Sequence, residues 1–139
     1  MTRIEITKDL ATCLDLRRRV FIEEQGVSEV EEFDGLDDAA VHLLAWQDEV
    51  PVGTARLFMK GETGKIGRVC VLPEARGTGL GAALIRAALD EFRQRPGLRE
   101  AVLGSQVQAT GFYEKLGFKV EGEVFLDADI PHLNMRRAL

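Results

Sequence analysis

Two stretches hold residues whose types and spacing could do chemistry. The first is Val71-Leu-Pro-Glu-Ala-Arg-Gly-Thr-Gly-Leu-Gly81. It lies between the apolar run Ile66 to Leu72, which reads as a strand, and a long amphipathic stretch beginning near Gly79. Glycine reaches positive φ and lets a ligand approach the main chain. Successive N–H groups at the mouth of a helix make an anion site, aided by the helix dipole. Arg76 adds a permanent charge with a donor fork that suits phosphate oxygens. Together these residues describe a cradle for a pyrophosphate. The second stretch is Gln106 to Phe118, which contains Tyr113 and closes on Gly117-Phe118.

Which pyrophosphate the cradle holds is a question of spacing. A P-loop needs Lys-Ser/Thr after its last glycine, and none follows here. A dinucleotide fingerprint fits Gly77-Thr-Gly-Leu-Gly-Ala82 on paper. Its glycines should follow the strand directly, yet Pro73-Glu-Ala-Arg76 intervenes. It should also be followed by an acidic strand end, yet Ala101-Val-Leu-Gly-Ser105 ends without one. The remaining pattern, Arg/Gln-x-x-Gly-x-Gly/Ala, is met by Arg76 to Gly81.

This pattern, followed by Gln106-Val-Gln-Ala-Thr-Gly-Phe-Tyr-Glu-Lys-Leu-Gly-Phe118, resembles the GNAT superfamily of acetyl-CoA-dependent N-acetyltransferases. The likeness runs from the first helix through Phe118. Glu24-Gln25, the acidic segment and Ile130-Pro-His132 look like a small bacterial subgroup of that family. The resemblance implies an α+β fold with a mixed, mostly antiparallel sheet flanked by helices on both faces. Its two central strands, Lys65–Leu72 and Arg99–Ser105, should splay apart. A pantetheine arm would lie in the gap and pair with backbone of Val69, Cys70 and Val71. Amides of Arg76, Gly77, Thr78, Gly79, Leu80 and Gly81 would hold the pyrophosphate. Gln106, where the family most often has Asn, and Phe112 would contact the cofactor, and Tyr113 would stand by the sulfur. Acetyl-CoA is then the co-substrate, with no metal.

The implied reaction is direct attack of a primary amine on a thioester, the amine belonging to a small molecule or a lysine side chain. The oxyanion needs fixed donors, which a backbone N–H near Cys70 or Val71 could supply. The amine must lose a proton, because a lysine-like amine is almost wholly protonated at neutral pH. Glu24, His42, Asp129 and His132 are the candidate bases, with Glu24 and His132 preferred. Cys70, in an apolar strand, reads as an inert core thiol rather than an acyl carrier. A non-catalytic acetyl-CoA sensor is the competing class.

The elements that must position these residues follow from periodicity. Arg3–Thr7 alternates as a strand, and roughly Asp9–Glu24 has apolar residues on one helix face, with Thr7 or Asp9 as cap. Arg17, Arg18 and Arg19 point in different directions and read as a solvated face. Gln25–Asp38 is crowded with acids, among them Glu29, Glu31, Glu32, Asp34, Asp37 and Asp38. It reads as a solvated loop, or as an acidic wall that draws in a cationic amine. Val41–Gln47 and Val52–Lys60 form a hairpin, Lys65–Leu72 a central strand, and the main helix ends before Pro96-Gly97. Phe118–Phe125 and His132–Arg137 read as the last strands, the second at an apolar edge that could pair in a homodimer.

Length and composition agree with one domain over residues 1–139. The formal charge of −5 argues against a general nucleic-acid binder. No apolar run suggests a membrane span or a signal peptide, and two cysteines make no disulfide framework, so a cytoplasmic setting is expected.

Overall fold

The computed structural model describes residues 1–139. β1 (Thr2–Thr7), β2 (Val41–Gln47), β3 (Val50–Lys60) and β4 (Thr63–Val71) pair antiparallel in sequence order. The β2–β3 turn is tighter than its sequence suggests. Asp48 and Glu49 both take positive φ, 49° and 68°, so Val50 and Pro51 already belong to the strand. Positive φ at both central residues matches the twist of a two-residue hairpin.

Helix α1 (Leu10–Arg17) starts on Asp9, whose carboxylate accepts from the Thr12 N–H at 3.2 Å. It continues as a π-helical segment over Arg18–Glu24, where the Gln25 N–H reaches back to the Val20 carbonyl at 3.0 Å. Helix α2 (Glu29–Glu32) is a single turn capped by Ser28. Helix α3 (Leu80–Arg93) carries β4 over to β5 (Glu100–Gln106), and α4 (Thr110–Glu114) precedes β6 (Lys119–Asp127) and β7 (Ile130–Ala138).

α1 and α3 cover opposite faces. A Cβ added at Gly53 would meet Leu84 of α3 at 3.2 Å, whereas the neighbouring Thr54 side chain faces Cys13 of α1. Alternation along a strand puts adjacent residues on opposite faces. Leu84, Ile85, Ala88 and Phe92 of α3 are buried against the sheet. Gly64 has no substitute here, since a Cβ would stand 2.7 Å from the Phe92 ring.

The sheet order is β1-β2-β3-β4-β5-β7-β6. The edge is therefore β6, not β7, which corrects the expectation for the C-terminal strand. β7 lies between β5 and β6, with Met135 buried in the core and His132–Ala138 paired along the whole of β5. β6 is exposed throughout and carries Val120, Val124 and Leu126 on the surface.

β4 and β5 are parallel, but they pair only from Thr63–Glu100 to Ile66–Leu103. Beyond that point Gly67–Val71 and Gly104–Gln106 no longer pair with each other, so the central strands do splay. The cause is local. The β3–β4 register slips between Thr54 and Arg56, and Arg68 takes φ 50°. A bulge bends and twists its strand, here away from β5.

Candidate active site

The gap opened by the bulge is the apex of a cleft of about 1650 Å³. Its walls come from the π-helical segment and α2, from β3–β5, and from the β6–β7 hairpin. On the β4 side the main chain is accessible. The Leu72 N–H bonds the Val52 carbonyl at 2.8 Å, so the Val52–Leu72 rung faces β3. Hydrogen-bonded rungs alternate with non-bonded ones along an antiparallel pair. Val71, opposite Gly53, therefore turns its N–H and C=O into the gap, while Cys70, opposite Thr54, turns its groups to β3. Of the two, only Val71 offers main chain to a ligand in the gap. The Cys70 thiol is buried, and burial pushes it up to about 12, so it holds its proton.

After β4 the chain makes a short turn over Pro73–Ala75 and reaches the glycine loop. Gly77 and Gly79 adopt φ 78° and 84°. Gly79 directly precedes α3, and its carbonyl accepts the Ala83 N–H at 3.0 Å. The preceding amides of the first turn have no partner within the helix, as helix geometry dictates. The Phe112 ring packs over Gly81, where an added Cβ would stand in ordinary contact with its Cζ at 3.5 Å. Leu80 is buried and anchors the helix start, and the Thr78 hydroxyl donates to the Ala75 carbonyl at 2.7 Å.

Arg76 and Glu24 meet. The guanidinium grips the Glu24 carboxylate with both terminal nitrogens, at 2.7 and 2.6 Å, and its Nε donates to the Val71 carbonyl at 2.9 Å. The hydrogen bond from Arg76 holds the Glu24 carboxyl below its ordinary value. Glu24 lies beside the anion loop and not among the residues lining the cleft, which is a different place from the acceptor side expected of it. The next residue, Gln25, accepts from Gln106 Nε2 at 3.1 Å. Glu24 and Gln25 thus tie the end of the π-helical segment to both sides of the gap.

Tyr113 and His132 both line the cleft. Tyr113 packs edge-on against Phe112 and Phe118, with centroids 4.9 and 6.1 Å away. Burial is the one influence on its hydroxyl and pushes it up to about 12, so it remains a donor. His132 Nδ1 lies 2.7 Å from the Ile130 carbonyl. A carbonyl only accepts, so Nδ1 carries a proton, and in the neutral ring the lone pair is on Nε2. Phe125 stacks on the ring at 5.8 Å. The other two candidate bases stand elsewhere. His42 is buried with Nε2 on the Asp37 carbonyl at 2.9 Å, and Asp129 sits at φ 62° in the β6–β7 turn.

Half of the acidic segment is not solvated, and Arg17 is not on a solvated face: Glu32, Asp34 and Asp37 are held in ion pairs. Arg17 and Glu32 are each 1% exposed and pair at 3.1 Å. Arg17 also bonds Asp37 at 2.7 Å. Arg56 takes Asp34 at 2.9 Å and Asp37 at 3.1 Å. Arg68 contacts Glu32 at 2.9 Å and Asp34 at 3.2 Å. Each of these three carboxylates thus meets two guanidinium groups, while Glu31 stays exposed on the cleft wall. The periodicity reading missed this because burial of a charge depends on partners far away in the chain. Arg56 and Arg68 went unnoticed for the same reason, although Gly67 inside a strand pattern signals a bulge. The ion pairs have a structural consequence. They hold Arg68, and hence the strained residue that parts β4 from β5.

The lattice makes stability depend on acid. Arg56 is the main reason the Asp34 carboxyl falls from 3.8 to about 2. For Asp37, burial works the other way, but Arg17 and Arg56 prevail and its value is also lowered. A depressed carboxyl favours the folded state above its unfolded pKa, and the advantage disappears as the pH falls through the folded value. Urea midpoints should therefore drop steeply between about pH 4 and about pH 2. Asp34→Asn should flatten that slope.

The comparisons agree with this geometry. A family model described as an acetyltransferase (GNAT) domain matches residues 11–139. The chain belongs to the GNAT acetyltransferase family. Among its relatives in Bacillus subtilis, the uncharacterized protein YyaT is 40% identical over 99% of this chain and 94% of its own. The uncharacterized N-acetyltransferase YjcF is 40% identical over 88% of this chain and 87% of its own. An acyl-CoA N-acyltransferase from Pseudomonas aeruginosa superposes with a TM-score of 0.85 at 33% identity, covering 99% of both chains. GNAT enzymes use acetyl-CoA as donor and act on amines of small molecules or proteins. No helix here is long and apolar enough to cross a membrane, and no cluster of metal-binding side chains is present.

Proposed function

We propose that this chain is an acetyl-CoA-dependent N-acetyltransferase that moves an acetyl group to a primary amine by direct attack on the thioester. The observation that carries the reading is the unpaired stretch of β4 and β5, which opens beside a glycine turn at the mouth of α3. The free edge of β4 would pair with the pantetheine arm, which needs partners once it is desolvated. Amides of Gly77 to Gly81 would receive the diphosphate. Gln106 and Phe112 flank the arm. Arg76 is the cation nearest the loop, and Glu24 acts on it rather than on the amine.

In the reaction the amine nitrogen attacks the carbonyl carbon. The carbonyl oxygen becomes an oxyanion, and donors such as the gap-facing N–H of Val71 would stabilise it. His132 Nε2 takes the amine proton, directly or through water. The carbon–sulfur bond breaks and the thiolate leaves. With Tyr113 near 12 and a thiol near 8.5, full proton transfer is uphill by roughly 5 kcal/mol. Tyr113 therefore serves as a hydrogen-bond donor to the leaving sulfur. The protonated Cys70 favours direct transfer over an acyl-enzyme.

The test is thiol release from acetyl-CoA against a panel of primary amines. Amine-dependent release with mass-confirmed N-acetyl product is expected. Tight binding with only slow thioester hydrolysis would overturn the reading in favour of a sensor. His132→Ala should lose activity most at neutral pH and recover toward wild type as the amine deprotonates unaided at higher pH. A loss that does not vary with pH would remove His132 as base.

A further inference from the structure

The floor of the cleft has a basic end that the fold and the chemistry above leave unused. Phe58, Lys65, Val102 and Arg136 are partners in register across β3, β4, β5 and β7. Residues opposite one another in a sheet share a face. Lys60 lies two residues beyond Phe58 and is on the same side. His132 pairs with Gln106, four residues beyond Val102 along β5, so it shares that side too. Lys60, Lys65, Val102 and His132 accordingly all line the cleft.

A solvated hairpin end would explain Lys60, the last residue of β3. It does not explain Lys65. β4 is the fourth of seven strands, and Gly64 packs its other face on Phe92 of α3. A central strand covered on both faces is apolar. Here the face away from α3 is left open and presents an exposed lysine. Neither Lys60 nor Lys65 makes an ion pair, although the chain has 23 acidic residues against 18 basic ones. The acids beside them are taken. Glu62 lies 4.0 Å from Arg99, and Glu100 is held by Arg136 and by the Thr63 hydroxyl at 2.9 Å.

The free acids of the cleft stand at its other end. Asp127 pairs with Ile130, which lies beyond His132 as seen from Lys65. Glu31 belongs to α2, and its carbonyl accepts from Arg68 Nη2 at 3.2 Å. Both side chains are exposed on the cleft wall. The cleft is therefore acidic near His132 and basic at Lys60 and Lys65. An acceptor with an ammonium at one end and an anion at the other lies along this field, whereas a diamine would set its second charge against the lysines. Lys65 and His132 are two strands and four residues apart, about 16 Å between Cα atoms at ordinary sheet spacings. The two side chains cover part of that span, and the remainder exceeds the amine-to-carboxylate distance of an α-amino acid.

We infer that Lys65, with Lys60 beside it, holds an anionic group of the acceptor, so that the chain acetylates primary amines carrying a carboxylate several bonds from the nitrogen. The inference rests on the acetyl-transfer reading above, and its test separates the two. Acetylation of 6-aminohexanoate, of its neutral amide and of 1,6-diaminohexane would be followed with the wild type and with Lys60→Gln/Lys65→Gln, together with the four-carbon homologues of each acceptor. The wild type should favour at least one amino acid over its amide by about fivefold or more in kcat/KM, as two exposed charge pairs would give, with the diamine poorest. The difference should lie in KM, because the anion is gripped equally before and during the reaction. It should shrink with added salt. The double variant should lose the preference, the loss falling on the amino acids, and Lys65→Glu should place the diamine first. Equal wild-type kcat/KM for the amino acids and their amides, or the same fold-loss for every acceptor in the double variant, would overturn the inference and leave acetyl transfer standing. No acetylated product from any of these amines would overturn both. The substituted residues are exposed, and an unchanged melting temperature checks that each variant is folded.

Discussion

Tyr113→Phe is expected to lower kcat by at least about tenfold while leaving the dissociation constant for acetyl-CoA nearly unchanged. The substitution removes one oxygen and keeps the ring. Phe112 and Phe118, which hold the ring edge-on, lose none of their contact with it. Stability should change little for that reason. What disappears is a donor aimed at charge that builds on sulfur only as the bond breaks, and an interaction made only in the transition state appears in kcat. A desolvated donor to developing charge is worth a few kcal/mol, so tenfold is a lower bound. Single-turnover acetyl transfer, together with titration of acetyl-CoA, separates the two quantities. An unchanged kcat would remove Tyr113 from the chemistry.

Arg17→Met should destabilise the fold by about 3 kcal/mol or more, because the carboxylates left behind are buried. Glu32 is as deeply covered as Arg17 itself, and each would keep one guanidinium partner instead of two: Glu32 would retain Arg68, and Asp37 would retain Arg56. Arg17→Lys should recover only part of the loss, since a point charge cannot reproduce the Nε and Nη2 pair that meets Glu32 at 3.1 Å on both oxygens. Urea unfolding at neutral pH measures both variants. A midpoint for Arg17→Met within error of wild type would show that the lattice contributes nothing net. Because the same acids hold Arg68, the variant should also weaken acetyl-CoA binding beyond what its stability loss explains.

The chemistry-bearing loop and the helix after it were legible in the chain because both are local. Glycines at positive φ, a proline that ends a strand and a 3.6-residue apolar stripe need no distant partner to take their shape. The two motifs, read together, also gave the splayed strands through the family they resemble. Other features lay beyond local reading. Arg17 looks like its two neighbours in sequence, yet Glu32 and Asp37 bury it. Glu24 looks like a free base, yet Arg76, more than fifty residues on, claims its carboxylate. His132 gains a defined tautomer from a strand-end carbonyl, and the C-terminal strand lies inside because its Met135 is buried in the core while β6, exposed throughout, takes the edge. Local periodicity and turn chemistry set the elements and the anion loop in this protein. The partners of its charges, and therefore the site's acid–base character, were fixed only when tertiary packing brought distant ions into a low-dielectric interior where none can stay unpaired.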